Sequence, residues 1–143
     1  MKPNRHQIHK VLKKIQFDQN KKNDFIGNEA RALVCMAHLT KIPLSKILNI
    51  TSDDITIVRS HIVIYNEGTT IKLKKKDPLA KIIWDHAKTI GPHYYLFKHF
   101  RSERTVINQG KEYHRYDHKC YYWIKKWFGS CFMHVTPREL MKK

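Results

Sequence analysis

The amino-acid sequence is typical of an α+β protein that is mainly helical and contains a small three-stranded antiparallel sheet. Apolar residues recur at helical spacing in both halves of the chain, but between Ile55 and Leu73 they recur at every second residue. A length of 143 residues leaves no room for two sizeable cores, and the hydrophobic residues, at 41% of the chain, are enough to form one. We therefore predict a single domain over 1–143, with an N-terminal helix and loop at 1–25 and a core at 26–143.

Three helices are predicted before the sheet. The first, over 6–17, has apolar residues at the i, i+3, i+4, i+7 spacing of an amphipathic helix, namely Ile8, Val11, Leu12 and Ile15. The polar residues at 18–24 indicate a loop. A second helix begins at Asn28, a suitable N-cap, and ends at about Leu39. Pro43 suits the first turn of a short third helix.

Strands and further helices follow. Asn66-Glu67-Gly68 has the composition of a hairpin turn, with a glycine available for positive φ. A fourth helix begins at Pro78 and ends before Gly91-Pro92. A longer helix is predicted from about 113 to 128, with a buried stripe formed by Tyr116, Cys120, Trp123, Ile124 and Trp127. Finally, Thr136-Pro137-Arg138-Glu139 is a capping box with proline at N1, and it predicts a very short last helix.

The net charge is the most informative feature of the composition. Lysine and arginine number 28 against 12 acidic residues, so the formal charge is +16 and the isoelectric point is near 9.9. A compact body with this charge repels itself, and a polyanion relieves that repulsion while releasing its counterions. Nucleic acid is therefore the leading partner class, ahead of an anionic membrane surface. Lysine outnumbers arginine, which favours phosphate contacts over base reading.

Other classes of protein fit the sequence poorly. No apolar run approaches the ~20 residues that span a bilayer, and no apolar block follows the basic N-terminus as in a secretory signal. Cys35, Cys120 and Cys131 are too few and too far apart for a disulfide framework, so we expect a reducing, intracellular setting. His118 and His134 lie near two of these cysteines, but their spacing matches no zinc pattern. We expect no metal and no other cofactor.

Two segments carry a family resemblance. TKIPLSKILNI at 40–50 follows a predicted helix and leads through SDDI at 52–55 into the predicted sheet, and VTPRELM lies at 135–141. In this order they resemble the motif regions of tyrosine recombinases, the phage-integrase family, whose patterns are T-G-L-R-I-S-E-L-L-x-L and I-T-P-H-D-L-R. The resemblance covers roughly 26 to the C-terminus and implies a recombinase catalytic-domain-like fold for this core.

The same resemblance implies that the domain is inactive. Pro43 stands where the family has its first arginine, and Arg138 and Met141 stand where it has a histidine and a second arginine. Within the 143 residues no tyrosine follows Met141, and no lysine lies in the Glu67-Gly68 turn. Phosphoryl transfer needs cations on the non-bridging oxygens and a general acid for the leaving oxygen. Pro43 and Met141 supply neither, so we expect a pseudoenzyme that does not cleave DNA.

The resemblance also implies a surface that binds a DNA duplex, and this function does not need the catalytic residues. Lys41 and Lys46 flank the third helix, the lysines at 72–76 form a dense run, and two of these share one strand face. The candidate nucleic-acid-binding residues are Lys41, Lys46, Lys72, Lys74, Lys75, Lys76, Arg138 and Lys142.

The expected function is binding of double-stranded DNA without cleavage, as a regulator or accessory factor of a mobile or viral element. RNA binding by a ribosome-associated basic structural protein is the alternative, and an active enzyme completed by another subunit is a third hypothesis. Assembly of a homo-oligomer on DNA is left open. No membrane partner is expected, and the expected location is the cytoplasm, the nucleoid or, for a viral protein, the host cell.

Overall fold

The computed structural model describes residues 2–22, 26–101, 104–115 and 118–141. About half of the chain is helical, and the α+β class with a small three-stranded antiparallel sheet is confirmed. In chain order the elements are α1 (Arg5–Lys22), α2 (Ile26–Thr40), α3 (Leu44–Ile47), a 3-10 turn (Ser52–Asp54), β1 (Ile55–Val58), β2 (His61–Asn66), β3 (Thr69–Lys74), α4 (Pro78–Ala87), β4 (Arg104–Asn108), β5 (Lys111–Arg115), α5 (His118–Ser130) and α6 (Pro137–Leu140).

Helix α2 is the central element of the fold. It packs against α1 on one side and α4 on another, and Leu33, Val34 and Met36 are fully buried. The predicted apolar stripe of α1 is confirmed, because all four of its residues are buried in the same core. The predicted loop at 18–24 is wrong over its first part, since α1 continues to Lys22. On this helix Lys14 and Asp18 form an i,i+4 ion pair at 3.6 Å.

The three-stranded sheet has the order β1-β2-β3, and all of its pairs are antiparallel. Ile57, Ile62 and Leu73 stand opposite one another in register and pack against the core. The predicted hairpin turn is confirmed at Glu67 and Gly68, whose φ values of 48° and 81° fit a two-residue turn that needs positive φ at both positions. Because side chains alternate along a strand, the neighbouring residues form an outer face that points away from the core.

A second sheet of two strands was not predicted. β4 and β5 pair antiparallel around Gln109-Gly110, whose φ values are 51° and 77°. The predicted helix from 113 is therefore wrong at its start, because β5 runs to Arg115 and α5 begins only at His118. A turn with positive φ at both central residues closes a hairpin, and this local geometry prevails over the helical spacing of the aromatic residues nearby.

The predicted stripe of α5 is confirmed in part. Cys120 and Ile124 are fully buried, together with Phe128. Trp123 and Trp127 are half-buried and pack against the core from its edge, with ring centroids 6.0 Å apart. Tyr116 lies outside the described residues.

Candidate nucleic-acid interface

A groove of about 320 Å³ lies where the end of α2, the short helix α3, the start of α5 and α6 come together. Its polar lining consists of two cations and two hydroxyl groups, and none of the described residues that line it is acidic. The lining residues are Lys41, Pro43, Leu44, Ser45, Tyr121, Pro137, Arg138 and Met141. The two segments that carry the family resemblance thus meet here, and the three positions 43, 138 and 141 face the same space.

The backbone around the groove holds its two cations in place. Lys41 follows the last residue of α2 with a left-handed backbone (φ 60°), and its Nζ donates a hydrogen bond to the Leu140 carbonyl at 3.3 Å. This bond connects the end of α2 to α6. The predicted capping box of α6 is confirmed, because Thr136 Oγ1 accepts from the Glu139 backbone N–H at 3.2 Å. Pro137 and Leu140 are buried, so Arg138 projects into solvent from a helical turn that is anchored on both sides.

Positive charges are crowded at the rim of this groove. Burial lowers the pKa of Lys41, and the neighbouring Lys2 ammonium lowers it further. Burial also lowers the pKa of His38 to about 4, with Lys41 and Arg5 acting in the same direction, so this imidazole is neutral at pH 7. Arg5 is paired with Asp77. Lys2 is therefore the neighbouring charge that acts on Lys41, and both groups are positive. Such an arrangement favours binding of an anion.

The outer face of the three-stranded sheet carries a second group of cations. Lys72 stands opposite Val63 and Lys74 opposite His61, and both lysines are exposed. Two residues along a strand are separated by about 7 Å, so these two ammonium groups follow one line on one face. Lys75 and Lys76 follow in the turn after β3 and are exposed as well, and the Lys75 backbone N–H donates to the Ser60 carbonyl at 2.9 Å.

Lys46 lies on the helix between the groove and the three-stranded sheet, and its positive charge is paired with an acidic residue. Its Nζ lies 2.9 Å from a carboxylate oxygen of Glu67 in the β2–β3 turn. The neighbouring residue on α3, Ser45, lines the groove. Helix α3 therefore connects the groove to the hairpin turn, and Glu67 compensates a charge that the sequence alone counted as free. The remaining candidate, Lys142, lies outside the described residues.

Two groove residues, and a lysine that acts on Lys41, are not among the binding residues predicted from the sequence. Lys2 had no pattern that could signal its position, because it lies at the chain start and reaches Lys41 only through the fold. Ser45 and Tyr121 are single hydroxyl residues within short apolar runs, and only the meeting of α3 with α5 shows that they share one groove.

Aromatic residues form a separate exposed cluster. The Arg101 guanidinium lies 4.2 Å from the centre of the Tyr95 ring, and the neighbouring Tyr94 is 64% exposed. Stacked guanidinium and aromatic groups of this kind contact unpaired bases in nucleic-acid-binding proteins.

Two of the cysteines belong to the core. Cys35 and Cys120 are buried, and burial raises the pKa of the Cys35 thiol to about 12. Over the described part of the chain, no three His, Cys, Asp or Glu side chains lie close enough together to hold a metal ion. Likewise, none of the described helices is both long and apolar enough to cross a membrane.

No protein-family model matches the chain, and no curated protein or solved structure is significantly similar to it.

Proposed function

We propose that the protein binds double-stranded DNA without cleaving it, on a tyrosine-recombinase-like fold, and serves as a regulator or accessory factor of a mobile or viral element. The observation that carries this proposal is the groove itself, where Lys41 and Arg138 line one space together with the hydroxyl groups of Ser45 and Tyr121 and none of its described lining residues is acidic. A phosphate in the groove would relieve the repulsion between these two cations, which is the usual basis of sequence-independent affinity for DNA.

The arrangement of the elements supports the recombinase-like part of the proposal. A buried helix, a one-turn helix, a three-stranded antiparallel sheet and a further helix follow one another in the order that the resemblance implies. The segments at 40–50 and 135–141 are far apart in the sequence, yet they line one groove. In the family, the corresponding segments supply groups that act on one phosphate, so their meeting here is consistent with a shared ancestry of the fold.

The groove chemistry supports binding rather than cleavage. Of the three groove positions at which the family has catalytic side chains, only Arg138 is charged, because Pro43 and Met141 carry no ionisable group. A transition state of phosphoryl transfer needs cations on several oxygens at once, and one arginine with one lysine tethered to a carbonyl provides an incomplete clamp. A stable phosphate contact has no such requirement.

A titration of duplex DNA at several salt concentrations tests the proposal. Four contacts, from Lys41, Lys72, Lys74 and Arg138, correspond to a slope of about −3.6 in log K against log salt, or a loss of about 150-fold between 50 and 200 mM salt. An affinity that does not change with salt would rule out the phosphate contacts. A nicked duplex that traps covalent protein–DNA adducts tests cleavage in parallel, and we expect no adduct.

RNA remains the alternative partner, and one observation favours it. The Arg101–Tyr95 stack and the exposed Tyr94 can stack unpaired bases, which a continuous duplex does not offer. Competition between a duplex and a structured RNA of equal length, at equal salt, separates the two proposals. Preferential displacement by the RNA would replace duplex DNA as the partner.

A further inference from the structure

The turn that follows α5 presents a phenylalanine to solvent. Phe132 is 97% exposed, whereas Phe128 on the last turn of the same helix is fully buried. Exposed aromatic side chains contribute nothing to the core, and a ring that is almost completely exposed adds apolar surface to water. The position of Phe132 is therefore unexplained by packing.

The backbone at Phe132 is also unfavourable for phenylalanine. The Met133 N–H donates to the Phe128 carbonyl and the Phe132 N–H donates to the Gly129 carbonyl, both at 3.0 Å, which is the Schellman pattern of a helix end. Phe132 occupies the left-handed position of this motif with φ 60°, where glycine is the usual residue because it has no Cβ. Phe128 and Met133 are buried on either side, so the motif is anchored and its exposed ring is held at a defined place.

Phe132 has an exposed aromatic ring and a left-handed backbone that suits glycine, and neither feature stabilises the fold. Residues of this kind are expected at functional sites. The charges around Phe132 indicate what it meets. Residues 118–141 contain four lysines and arginines against Glu139, and Lys125, Lys126 and His134 are exposed close to the turn in sequence. Asp18, which lines a pocket with Lys126 and Ser130, is paired with Lys14, so the excess of charge is positive. A basic surface with one projecting aromatic ring is complementary to a polyanion that offers flat apolar surfaces between its charges, which describes stacked bases between phosphates.

Phe132 lies within reach of the same duplex as the groove. Four residues lie between it and Pro137, which lines the groove, so the two positions are at most about 18 Å apart. A duplex that runs from the groove towards the end of α5 would reach Phe132 within about five base pairs, at 3.4 Å per pair along each strand.

We propose that Phe132 is a wedge that inserts between adjacent base pairs of bound DNA and bends the duplex. This inference rests on the proposed DNA binding and adds to it a mode of binding: cations at the groove and sheet hold the backbone, and the ring partly unstacks one base step. Apolar wedges of this kind kink a duplex by about 20–90° and favour flexible pyrimidine–purine steps.

The bend can be measured by energy transfer between dyes at the two ends of a short duplex. We compare the full-length protein with Phe132→Gly, which suits the left-handed position, and with Phe132→Leu, which keeps an apolar wedge. Phe17→Ala is the matched control, because Phe17 is 61% exposed on α1 and is not predicted to contact DNA. The melting temperature of each variant is measured in the same buffer.

We expect the wild-type protein and the Phe132→Leu and Phe17→Ala variants to bend DNA alike. Phe132→Gly should lose most of the bend and bind at least about 5-fold more weakly, since one stacking contact is typically worth about 1–3 kcal/mol, which corresponds to about 5–140-fold in affinity. Its melting temperature should not fall, because the exposed ring has no packing to lose and glycine fits the backbone. A weaker but stable variant therefore separates loss of function from loss of fold.

Three results would overturn the wedge. Equal bending and affinity for the wild-type protein and Phe132→Gly would remove the wedge and leave the proposed DNA binding intact, whereas no binding of duplex DNA by the wild-type protein would remove both. The third result concerns other partners of the ring. If Phe132→Gly alone loses binding to anionic vesicles, the ring contacts a lipid surface instead. If Phe132→Gly alone loses self-association without DNA, the ring contacts a second copy of the chain instead.

Discussion

Lys72 and Lys74 offer the sharpest test of how the sheet contacts DNA. Both side chains are exposed on the outer face of β3, about 7 Å apart along the strand, and neither forms an ion pair within the described part of the chain. Replacing both by glutamine keeps two polar side chains of similar length and removes two positive charges. The fold should be unaffected, because neither ammonium group contributes to the core.

The size of the effect follows from counterion release. Each phosphate contact contributes about 0.9 to the slope of log K against log salt, and this contribution vanishes near 1 M salt. Two lost contacts therefore weaken binding about 200-fold at 50 mM salt and about 18-fold at 200 mM, and the slope becomes less steep by about 1.8. The change should be uniform across DNA sequences, since lysines at phosphates carry no base information.

The assay is a fluorescence-anisotropy titration of a labelled duplex from 50 to 200 mM salt. Lys10→Gln/Lys13→Gln is the matched control, because these two lysines are exposed on α1 and their loss lowers the net charge by the same amount. If both double variants lose affinity equally, only the net charge of the protein matters and the sheet is not the contact surface. An unchanged slope in Lys72→Gln/Lys74→Gln would have the same meaning.

Three further predictions concern single residues. Glu67→Gln frees Lys46 from its ion pair and should strengthen DNA binding about 4-fold at 200 mM salt, as measured by anisotropy. His38 has a folded pKa of about 4 against 6.5 for the free side chain, so the unfolded chain takes up its proton first. Unfolding by urea should therefore become easier by about 2 kcal/mol as the pH falls from 6.5 towards 4, after allowance for solvent screening, and His38→Gln should reduce this loss. Glu29→Ala should lower the free energy of unfolding by about 2–3 kcal/mol, because the buried carboxylate accepts from the His99 backbone N–H at 2.8 Å and the variant leaves that donor without its partner.

Each of these has a control and a contrary outcome. Asp85→Asn also removes a carboxylate from an ion pair with a lysine, Lys88, but on α4, so an equal gain in affinity there would show that Glu67 acts only through net charge. An acid sensitivity that is the same in wild type and His38→Gln would assign the pH dependence to other groups. Glu29→Gln keeps an acceptor for His99, and a loss as large as in Glu29→Ala would mean that this hydrogen bond does not stabilise the fold.

Local sequence signals account for most of the elements. The apolar spacing of α1, the Glu67-Gly68 turn and the Thr136 capping box each depend on residues within one or two turns of one another, and each appears in the structure as predicted. The β4–β5 hairpin was missed because its turn is Gln109-Gly110 rather than the usual asparagine or aspartate with glycine. The aromatic residues that follow also occur at helical spacing, so the wrong element was favoured there.

The candidate site was predictable only as a set of residue types. The sequence predicts Lys41 and Arg138 as binding residues, but their common groove depends on the packing of α6 against the end of α2. Lys46 was counted as a free cation, whereas the fold brings Glu67 to it. The effect of Lys2 on the pKa of Lys41 likewise has no counterpart in the sequence pattern.

Composition and short-range patterns are enough to establish an α+β protein with one core and a large excess of positive charge, because hydrophobic periodicity and net charge are properties of the chain itself. Only the tertiary structure decides which cations lie close together and which are paired with acidic residues. It also decides that Phe132 projects from the end of a helix. The reason is that Coulomb interactions and solvent exposure depend on distances in space, and folding brings together residues that the chain keeps far apart.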